Sequence, residues 1–114
     1  MNNYLFTRNQ AKKYDIAGGV CYLYPDSPTE RLSAAYVEQS GRYPEEGYRQ
    51  NEYCTEAMFI IDGVFTASVG GEIHRLESGD VLYVQPKTPY SIEGAGKTFV
   101  FIEPKWNSDQ NTQV

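Results

Sequence analysis

The stretch EAMFIIDGVFTASVGGEIHRLESGDVLYV, residues 56–84, contains short runs in which apolar and polar side chains alternate. An apolar period of two is typical of β-strands, and the clearest runs are residues 57–61, 64–69 and 81–84. Turn-forming residues punctuate the stretch, at Asp62-Gly63, Gly70-Gly71 and Ser78-Gly79-Asp80. The stretch therefore predicts consecutive short strands joined by tight turns.

Similar runs lie on either side, at residues 34–38 and 98–102, and the middle of the chain shows no helical repeat. Short strands at regular spacing predict an all-β sandwich or barrel, and we expect a barrel. At 114 residues the chain is expected to be one domain, residues 1–114, with its barrel core at about 30–104. We expect a short helix or an added strand in the first 15 residues, and a polar, frayed tail from residue 107.

Charge and composition limit the partners. The net charge is −5 and no run of Lys or Arg occurs, so we expect no nucleic-acid partner. No apolar stretch approaches the roughly 18 residues of a membrane span, and Met1-Asn2-Asn3-Tyr4 lacks the pattern of a signal peptide. We therefore expect a cytoplasmic protein with no membrane partner. Cys21 and Cys54 form no CxxC motif and are expected to stay thiols.

The order of an acid, a strand and glycine turns resembles the cupin pattern. Cupins have two signature motifs, G-x5-H-x-H-x3-4-E-x6-G and G-x5-P-x-G-x2-H-x3-N. Glu56 and Gly63 match the end of the first motif, and Gly79 matches the start of the second. The resemblance covers residues 36–103 and implies a cupin-like double-stranded β-helix, which is a jelly-roll barrel. It also implies a homodimer, in which Tyr4-Leu5-Phe6 would suit an added edge strand.

The sequence departs from the cupin motifs at the metal ligands. The two histidines of the first motif fall on Arg49 and Asn51, or on Gln50 and Glu52 with the shorter gap, and its first glycine is counted at Tyr43. The proline, glycine, histidine and asparagine of the second motif fall on Gln85, Lys87, Tyr90 and Gly94. Tyr90 therefore occupies the position from which the resemblance implies a metal-binding histidine. We therefore expect a degenerate metal site.

The number of possible metal ligands leads to the same expectation. Zinc, iron or nickel sites need two or three imidazoles or thiolates, and His74, in a predicted hairpin, is the single histidine. We expect His74 at the surface or half-buried, and no cofactor. A divalent cation held by oxygen ligands is the fallback hypothesis, with Glu52, Glu56 and Tyr90 as ligands and Asn51 beside them.

Strand alternation predicts which side chains face the barrel interior. If Glu56 points inward, so do Cys54, Met58 and Ile60, and Tyr90 shares a face with Ile92. The expected cavity has a floor of Met58, Ile60 and Ile92 below a polar rim. The predicted ligand-binding residues are Arg49, Asn51, Cys54, Glu56, Met58 and Tyr90.

Several roles remain open for these residues. Arg49 and Glu56 either form an internal ion pair, with Tyr90 hydrogen-bonded to Glu56, or Arg49 anchors a ligand anion. Glu56 and Tyr90 are the candidate catalytic residues, as a general acid or base and a proton donor. Cys54 is expected to be a buried thiol rather than a nucleophile. Trp106 is expected to pack on the core or on a partner chain, with a lid over the cavity as the alternative.

Two classes of function follow. The first is a cupin that binds a small polar or anionic molecule without a histidine-coordinated metal. The alternative is a metal-independent or oxygen-ligand metal-dependent enzyme such as a sugar isomerase or epimerase, a class that the resemblance also implies. A barrel that works only through its surface is a third possibility, because fold does not fix function.

Overall fold

The structure, a computed structural model, describes residues 4–114. In this part of the chain two single-turn 3-10 helices, Arg8–Gln10 and Ser108–Gln110, accompany nine β-strands. The strands are β1 (Lys12–Ile16), β2 (Gly19–Leu23), β3 (Ser33–Tyr43), β4 (Arg49–Asn51), β5 (Thr55–Val69), β6 (Glu72–Glu77), β7 (Val81–Val84), β8 (Tyr90–Glu103) and β9 (Asn111–Gln113). The all-β prediction is confirmed. None of the helices described could cross a bilayer.

Strand β8 is the centre of the sheet. It pairs antiparallel with β3 and then β4 along one edge, and with the whole of β5 along the other. On the far side of β5, β7 pairs with its first half and β6 with its second half. Strands β2 and β1 extend the sheet beyond β3, and β9 extends it beyond β4. Two long strands thus organise the sheet.

The sheet curls so strongly that residues near opposite ends of β8 come close together. Glu56 is paired in register with Ile102, twelve residues along β8 from Tyr90. In a flat sheet this separation would be roughly 40 Å. The Tyr90 hydroxyl nevertheless lies 3.3 Å from the Glu56 carboxylate. The curl therefore brings opposite ends of β8 to one place, and the apolar core is enclosed between them.

A β-bulge in β5 sets which side chains face the core. The register against β8 shifts between Ile60 and Asp62, which adds one residue to β5. Met58 and Ile60 are buried before the bulge, and Phe65 and Ala67 after it, so the inward face changes from even to odd residues. The predicted turn at Asp62-Gly63 is therefore wrong: residues 57–61 and 64–69 belong to one strand. The turns at Gly70-Gly71 and Ser78-Gly79 are confirmed.

The C-terminal tail is ordered, and the expectation that it is frayed is wrong. Strand β9 pairs with β4 residue by residue, and Gln110 and Asn111 are only 3% and 6% exposed. Buried amides are stable in a protein interior when their polar atoms are hydrogen-bonded, and both side chains have such partners. Near the other end of the described chain, a 3-10 turn precedes β1.

Large apolar side chains also lie on the outer face of the sheet. Phe59, Val81, Tyr83 and Phe101 are between 41% and 63% exposed. The register places them on neighbouring strands β5, β7 and β8. Tyr4 and Leu5, which were predicted to suit an added edge strand, are largely exposed. The homodimer stays a prediction.

A substitution at Gly63 tests how closely β5 approaches β8 at the bulge. Its φ is +92°, and a Cβ at this position would lie 2.1 Å from the carbonyl oxygen of Ala95. We expect Gly63→Ala to lower the free energy of unfolding by about 2–5 kcal/mol, the sum of backbone strain and overpacking. Urea denaturation measures this change.

Gly71→Ala is the matched control. Gly71 also has a positive φ, +86°, but a Cβ there would meet nothing within 4 Å. Only the backbone strain applies, so the expected loss is about 1–2 kcal/mol. Equal losses at the two positions would contradict the steric role of Gly63.

Candidate functional site

The curled sheet surrounds a cavity of about 760 Å³ that is open to solvent on one side. Its inner wall is mostly apolar and includes Val37, Met58, Ile92 and Val100. Polar groups interrupt this wall at Gln39, Tyr43, Glu56, Tyr90 and Thr98. The exposed residues Asp15, Lys105, Asn107 and Ser108 line its outer part. The cavity is thus large enough for a small organic molecule and has its polar groups at fixed places.

Glu56 is the carboxyl group of the cavity wall. It is 7% exposed, and its Oε2 accepts a hydrogen bond from Asn51 Nδ2 at 2.6 Å and one from the Tyr90 hydroxyl at 3.3 Å. None of residues 4–114 donates to the other oxygen, Oε1. No fully buried polar side-chain atom of residues 4–114 lacks a hydrogen-bond partner, so Oε1, which has no partner, is not fully buried. Because Glu56 lines the cavity, Oε1 is accessible from it. One oxygen of Glu56 is anchored and the other is free for a ligand.

Three buried amides stand behind Glu56, and we call Asn51, Gln110 and Asn111 the amide cluster. Asn51 is fully buried, and its Oδ1 accepts from Gln110 Nε2 and from Asn111 Nδ2, both at 2.8 Å. Asn111 Nδ2 also lies 3.4 Å from the Tyr90 hydroxyl oxygen. The two donors to the Glu56 carboxylate are therefore Asn51, which belongs to the cluster, and Tyr90, which contacts Asn111 of the cluster.

Arg49 belongs to the outer end of this network. Its Nε donates to Asn111 Oδ1 at 2.5 Å, and its NH2 donates to the Asn111 carbonyl at 2.9 Å. NH1 lies 3.3 Å from Gln113 Oε1. The predicted ion pair between Arg49 and Glu56 is wrong, because β9 occupies the guanidinium. The accompanying prediction, a hydrogen bond from Tyr90 to Glu56, is confirmed.

The structure brings together only part of the predicted ligand-binding set. Glu56, Met58 and Tyr90 line the cavity, as does Ile92 of the predicted floor. Arg49, Asn51 and Cys54 do not line it, so the expected rim is corrected: these residues lie behind the wall. Ile60 is inward and fully buried, but it belongs to the packed core rather than to the cavity floor.

Cys54 is a buried thiol. It is inaccessible to solvent, its Sγ lies 3.3 Å from the Pro104 carbonyl, and its backbone N–H donates to Gln110 Oε1. Burial, helped by the charge of Glu56, raises the pKa of the thiol to about 11. The thiolate that a nucleophile needs is therefore scarce at neutral pH, as expected.

Trp106 packs on the core, as expected, and the lid stays a prediction. It is half-buried, packs against the hydrophobic core and also lines the cavity. Its backbone N–H donates to Ser33 Oγ at 2.7 Å, which attaches this segment to the start of β3. The indole is therefore part of the cavity wall.

The residues present do not fit a bound metal. Glu52, a fallback ligand, pairs with Lys87 at 3.2 Å and accepts from Gln50, whereas Glu56 is bonded to Asn51 and Tyr90. His74 is exposed on β6 and lies 3.3 Å from Glu72, as the surface expectation required. Within residues 4–114, no three His, Cys, Asp or Glu side chains are grouped to hold an ion. Of the fallback oxygen ligands, Glu56 and Tyr90 are in contact, whereas Glu52 is bonded to Lys87 and does not line the cavity.

Burial dominates the acid–base properties of the cavity wall. It raises the pKa of Glu56, against the lowering effect of the hydrogen bonds from Asn51 and Tyr90. Burial and then the charge of Glu56 raise the pKa of Tyr90 well above its usual value. Burial also raises the pKa of Tyr43, and that of Cys21 to about 11. The phenols and thiols are thus neutral near pH 7, and Glu56 keeps its proton to a higher pH than an exposed glutamate.

The residues of the site that sequence reasoning missed include Gln39, Tyr43, Cys21, Gln110 and Asn111. Strand alternation in β3 places Gln39 and Tyr43 on the face of Ala35 and Val37, all of which line the cavity, and this signal was available. Nothing local distinguishes the two tail amides from surface residues. Their burial depends on the pairing of β9 with β4, which is a tertiary contact.

The family of the chain follows from a match to a family model. The EutQ-like cupin domain matches residues 18–108, which is most of the chain. The protein therefore belongs to the EutQ-like cupin family. No curated protein sequence matches the chain.

Solved structures show the same fold at low sequence identity. A variant of Streptomyces Pac13 with uridine is 15% identical at a TM-score of 0.89, over 100% of this chain and 92% of its own. KdgF of Halomonas sp. is 19% identical at a TM-score of 0.75, over 95% and 99% of the two chains. Oxalate decarboxylase of Bacillus subtilis is 19% identical at 0.80, over 100% of this chain and 32% of its own. The predicted cupin-like barrel is confirmed.

The raised pKa of Glu56 predicts the pH dependence of stability. Between the usual pKa of glutamate and the raised one, the folded protein holds a proton that the unfolded chain has released, so stability falls as pH rises. Glu56→Gln keeps an acceptor for Asn51 and Tyr90 but does not titrate. We expect the wild type to lose stability relative to this variant above pH 4.5, by at most about 1.4 kcal/mol per pH unit.

Urea unfolding of the wild type and of Glu56→Gln from pH 4.5 to 8 gives the difference between their free energies of unfolding. The contributions of titrating groups that both proteins share cancel in this difference. A difference that stays constant, or that favours the wild type as pH rises, would show that Glu56 ionises as readily in the folded chain as in the unfolded one.

Proposed function

We propose that this protein binds a small, uncharged, polar molecule inside the barrel, with the Glu56 carboxyl group as the central contact. One observation supports this most directly: Glu56 Oε1 has access to the cavity, while Oε2 is held by two donors. A ligand hydroxyl, amide or heterocycle would complete the hydrogen bonding of Oε1. The apolar wall would cover the rest of its surface.

The charges of the wall favour an uncharged ligand over an anion. Arg49, the expected anion anchor, is outside the cavity and occupied by β9. Lys105 lies in the outer part and is 3.4 Å from Glu30 and 3.9 Å from Asp26. An anion reaching the depth of Glu56 would meet a carboxyl group and no nearby cation among the lining residues described, which is costly in a buried site.

A structural neighbour is consistent with this class of ligand. Structures of Pac13 variants contain uridine, an uncharged polar molecule with a heterocycle and hydroxyls, and Pac13 is described as a nucleoside dehydratase. The likeness at 15% identity concerns the fold. It makes uridine a sensible first probe rather than the expected physiological ligand.

Catalysis of a proton transfer is the second candidate function. The sequence-based alternative, an enzyme of the sugar isomerase or epimerase type with Glu56 and Tyr90 exchanging a proton, needs a carboxyl group that faces the substrate. Glu56 Oε1 meets this need, and burial keeps its pKa above the usual range. Tyr90 would act as a neutral hydrogen-bond donor, since its own pKa is raised.

Isothermal titration calorimetry with matched neutral and anionic probes tests the proposal. The pairs are uridine with uridine 5′-monophosphate, and glucose with gluconate, each added to the full chain at pH 7. We expect the neutral member of at least one pair to bind at least about tenfold more tightly, a difference of about 1.4 kcal/mol. Tighter binding of the anions, or no binding of any probe, would contradict the proposal.

Two valine substitutions locate the binding. Val37 lines the cavity, whereas Val81 is exposed on β7 outside it. Val37→Phe is expected to remove binding by filling the cavity, and Val81→Phe to leave it unchanged. Circular dichroism confirms that both variants fold. Binding that persists in Val37→Phe and is lost in Val81→Phe would place the ligand on the outer face.

A further inference from the structure

We propose that the exchangeable proton of Glu56 resides on Oε1, facing the cavity, and that Arg49 and Asn111 are positioning residues that keep it there. The inference deepens the proposed function and rests on the same carboxyl group. It defines the ligand contact more narrowly: the protonated site presents a hydrogen-bond donor, so the ligand atom at Oε1 is an acceptor such as a carbonyl, ether or ring nitrogen.

The chain of hydrogen bonds begins at a group that can only donate. The guanidinium of Arg49 has five N–H donors and no acceptor, and its Nε donates to the side chain of Asn111. The Asn111 amide must therefore direct its oxygen to Arg49. Its Nδ2 consequently points in the other direction, to Asn51 Oδ1 and the Tyr90 hydroxyl.

Gln110 independently determines that the side-chain oxygen of Asn51 acts as an acceptor. Its Oε1 accepts from the backbone N–H groups of Tyr53 and Cys54, which can only donate. Its Nε2 therefore faces Asn51 Oδ1. Two independent sets of obligate donors thus assign the Asn51 oxygen as an acceptor, and the assignment does not depend on telling amide oxygen from nitrogen by position.

The direction of both bonds to Glu56 follows. Asn51 has its oxygen occupied by two amide donors, so its Nδ2 is the atom that meets Glu56 Oε2. The hydroxyl of Tyr90 accepts from Asn111, so its single hydrogen is directed to the same Oε2. Oε2 receives two donors and is a poor place for a further proton. The proton of the neutral carboxyl group is therefore placed on Oε1.

Glu56 is the carboxyl group of this inner site, and burial raises its pKa above the usual value of a glutamate. The titratable and charged groups around it are Cys21 on β2, Tyr43 on β3, Arg49 on β4, Cys54 on β5 and Tyr90 on β8. Burial raises the pKa of each of these thiols and phenols, so they stay neutral. Among these inner groups, the proton that Glu56 exchanges with the cavity is thus the one on Oε1.

Infrared difference spectroscopy of the full chain between low and high pH tests the placement without any ligand. The carbonyl band of protonated Glu56 is identified by its loss in Glu56→Gln. If Oε2 is the carbonyl oxygen, it accepts two hydrogen bonds, which lower its stretching frequency. Tyr90→Phe removes one of them, and we expect the band to move to higher frequency. Tyr14→Phe, which removes another hydroxyl of the cavity wall, is expected to leave the band in place.

A second pair of variants tests the positioning residues. Asn111→Asp replaces the donor to Asn51 and Tyr90 by an acceptor, which reverses the chain and draws the Tyr90 hydrogen away from Glu56. We expect the Glu56 band to rise in frequency and its titration midpoint to move to higher pH. Gln113→Glu places the same charge beside the same guanidinium but outside the chain. It is expected to leave the band frequency unchanged.

The outcomes separate this inference from the binding proposal. A Glu56 band that does not respond to Tyr90→Phe would place the proton on Oε2 and overturn the inference, whether or not uridine or glucose binds. Equal band shifts in Asn111→Asp and Gln113→Glu would reduce Arg49 and Asn111 to a general electrostatic role. Tyr90→Phe removes a single oxygen atom, so the test stands even where Asn111→Asp does not fold. Failure of the calorimetric test would leave the spectrum unaffected.

Discussion

The pairing of β8 with β3 on one edge and with β5 on the other is the constraint on which the arrangement of the barrel depends. Glu56 pairs in register with Ile102, yet its side chain meets Tyr90 at the opposite end of β8. Strand β8 must therefore curve enough to bring its two ends close together, while it stays paired with β3 on one edge and β5 on the other. Gly96 lies against Asp62 and Gly63 at the bulge, where a Cβ would lie 2.1 Å from the Asp62 carbonyl oxygen. The bend of β8 therefore also forms the site, because it brings Tyr90 to Glu56.

A buried carboxyl group is costly, and the network behind Glu56 reduces that cost. Two donors stabilise the carboxylate, while burial favours the neutral acid, and burial has the larger effect on the pKa. Glu56 stands at the glutamate of the cupin motif, and the chain surrounds it with amides and a phenol rather than with histidines. Arg49 and Asn51, which stand at the histidine positions in one of the two alignments to the motif, both belong to this polar network: Asn51 donates to Glu56, and Arg49 bonds to Asn111 behind it.

The sequence predicts the parts of the site that depend on strand alternation. Glu56, Met58 and Tyr90 face inward because residues two apart share a face, and the cupin resemblance supplied the starting point. The bulge at Ile61 could not be predicted in the same way, because Asp62-Gly63 is equally typical of a turn. Only the continuous pairing of β5 with β8 selects the bulge. The role of Arg49 was mistaken for a related reason: its partner lies 62 residues away on β9.

The C-terminal tail shows most clearly that composition alone can fail to predict an ordered segment. Its residues are polar, and polar residues near a chain end usually lie in water. Three residues of β9 nevertheless pair with β4, and this short pairing places Asn111 between Arg49 and the partners of Glu56. Because amide groups both donate and accept, their order along the network decides which oxygen of the carboxyl group is saturated and which is available. The hydrogen bonding of Glu56 in the cavity wall is thus set by Arg49, Asn51 and Asn111, whose side chains do not line the cavity.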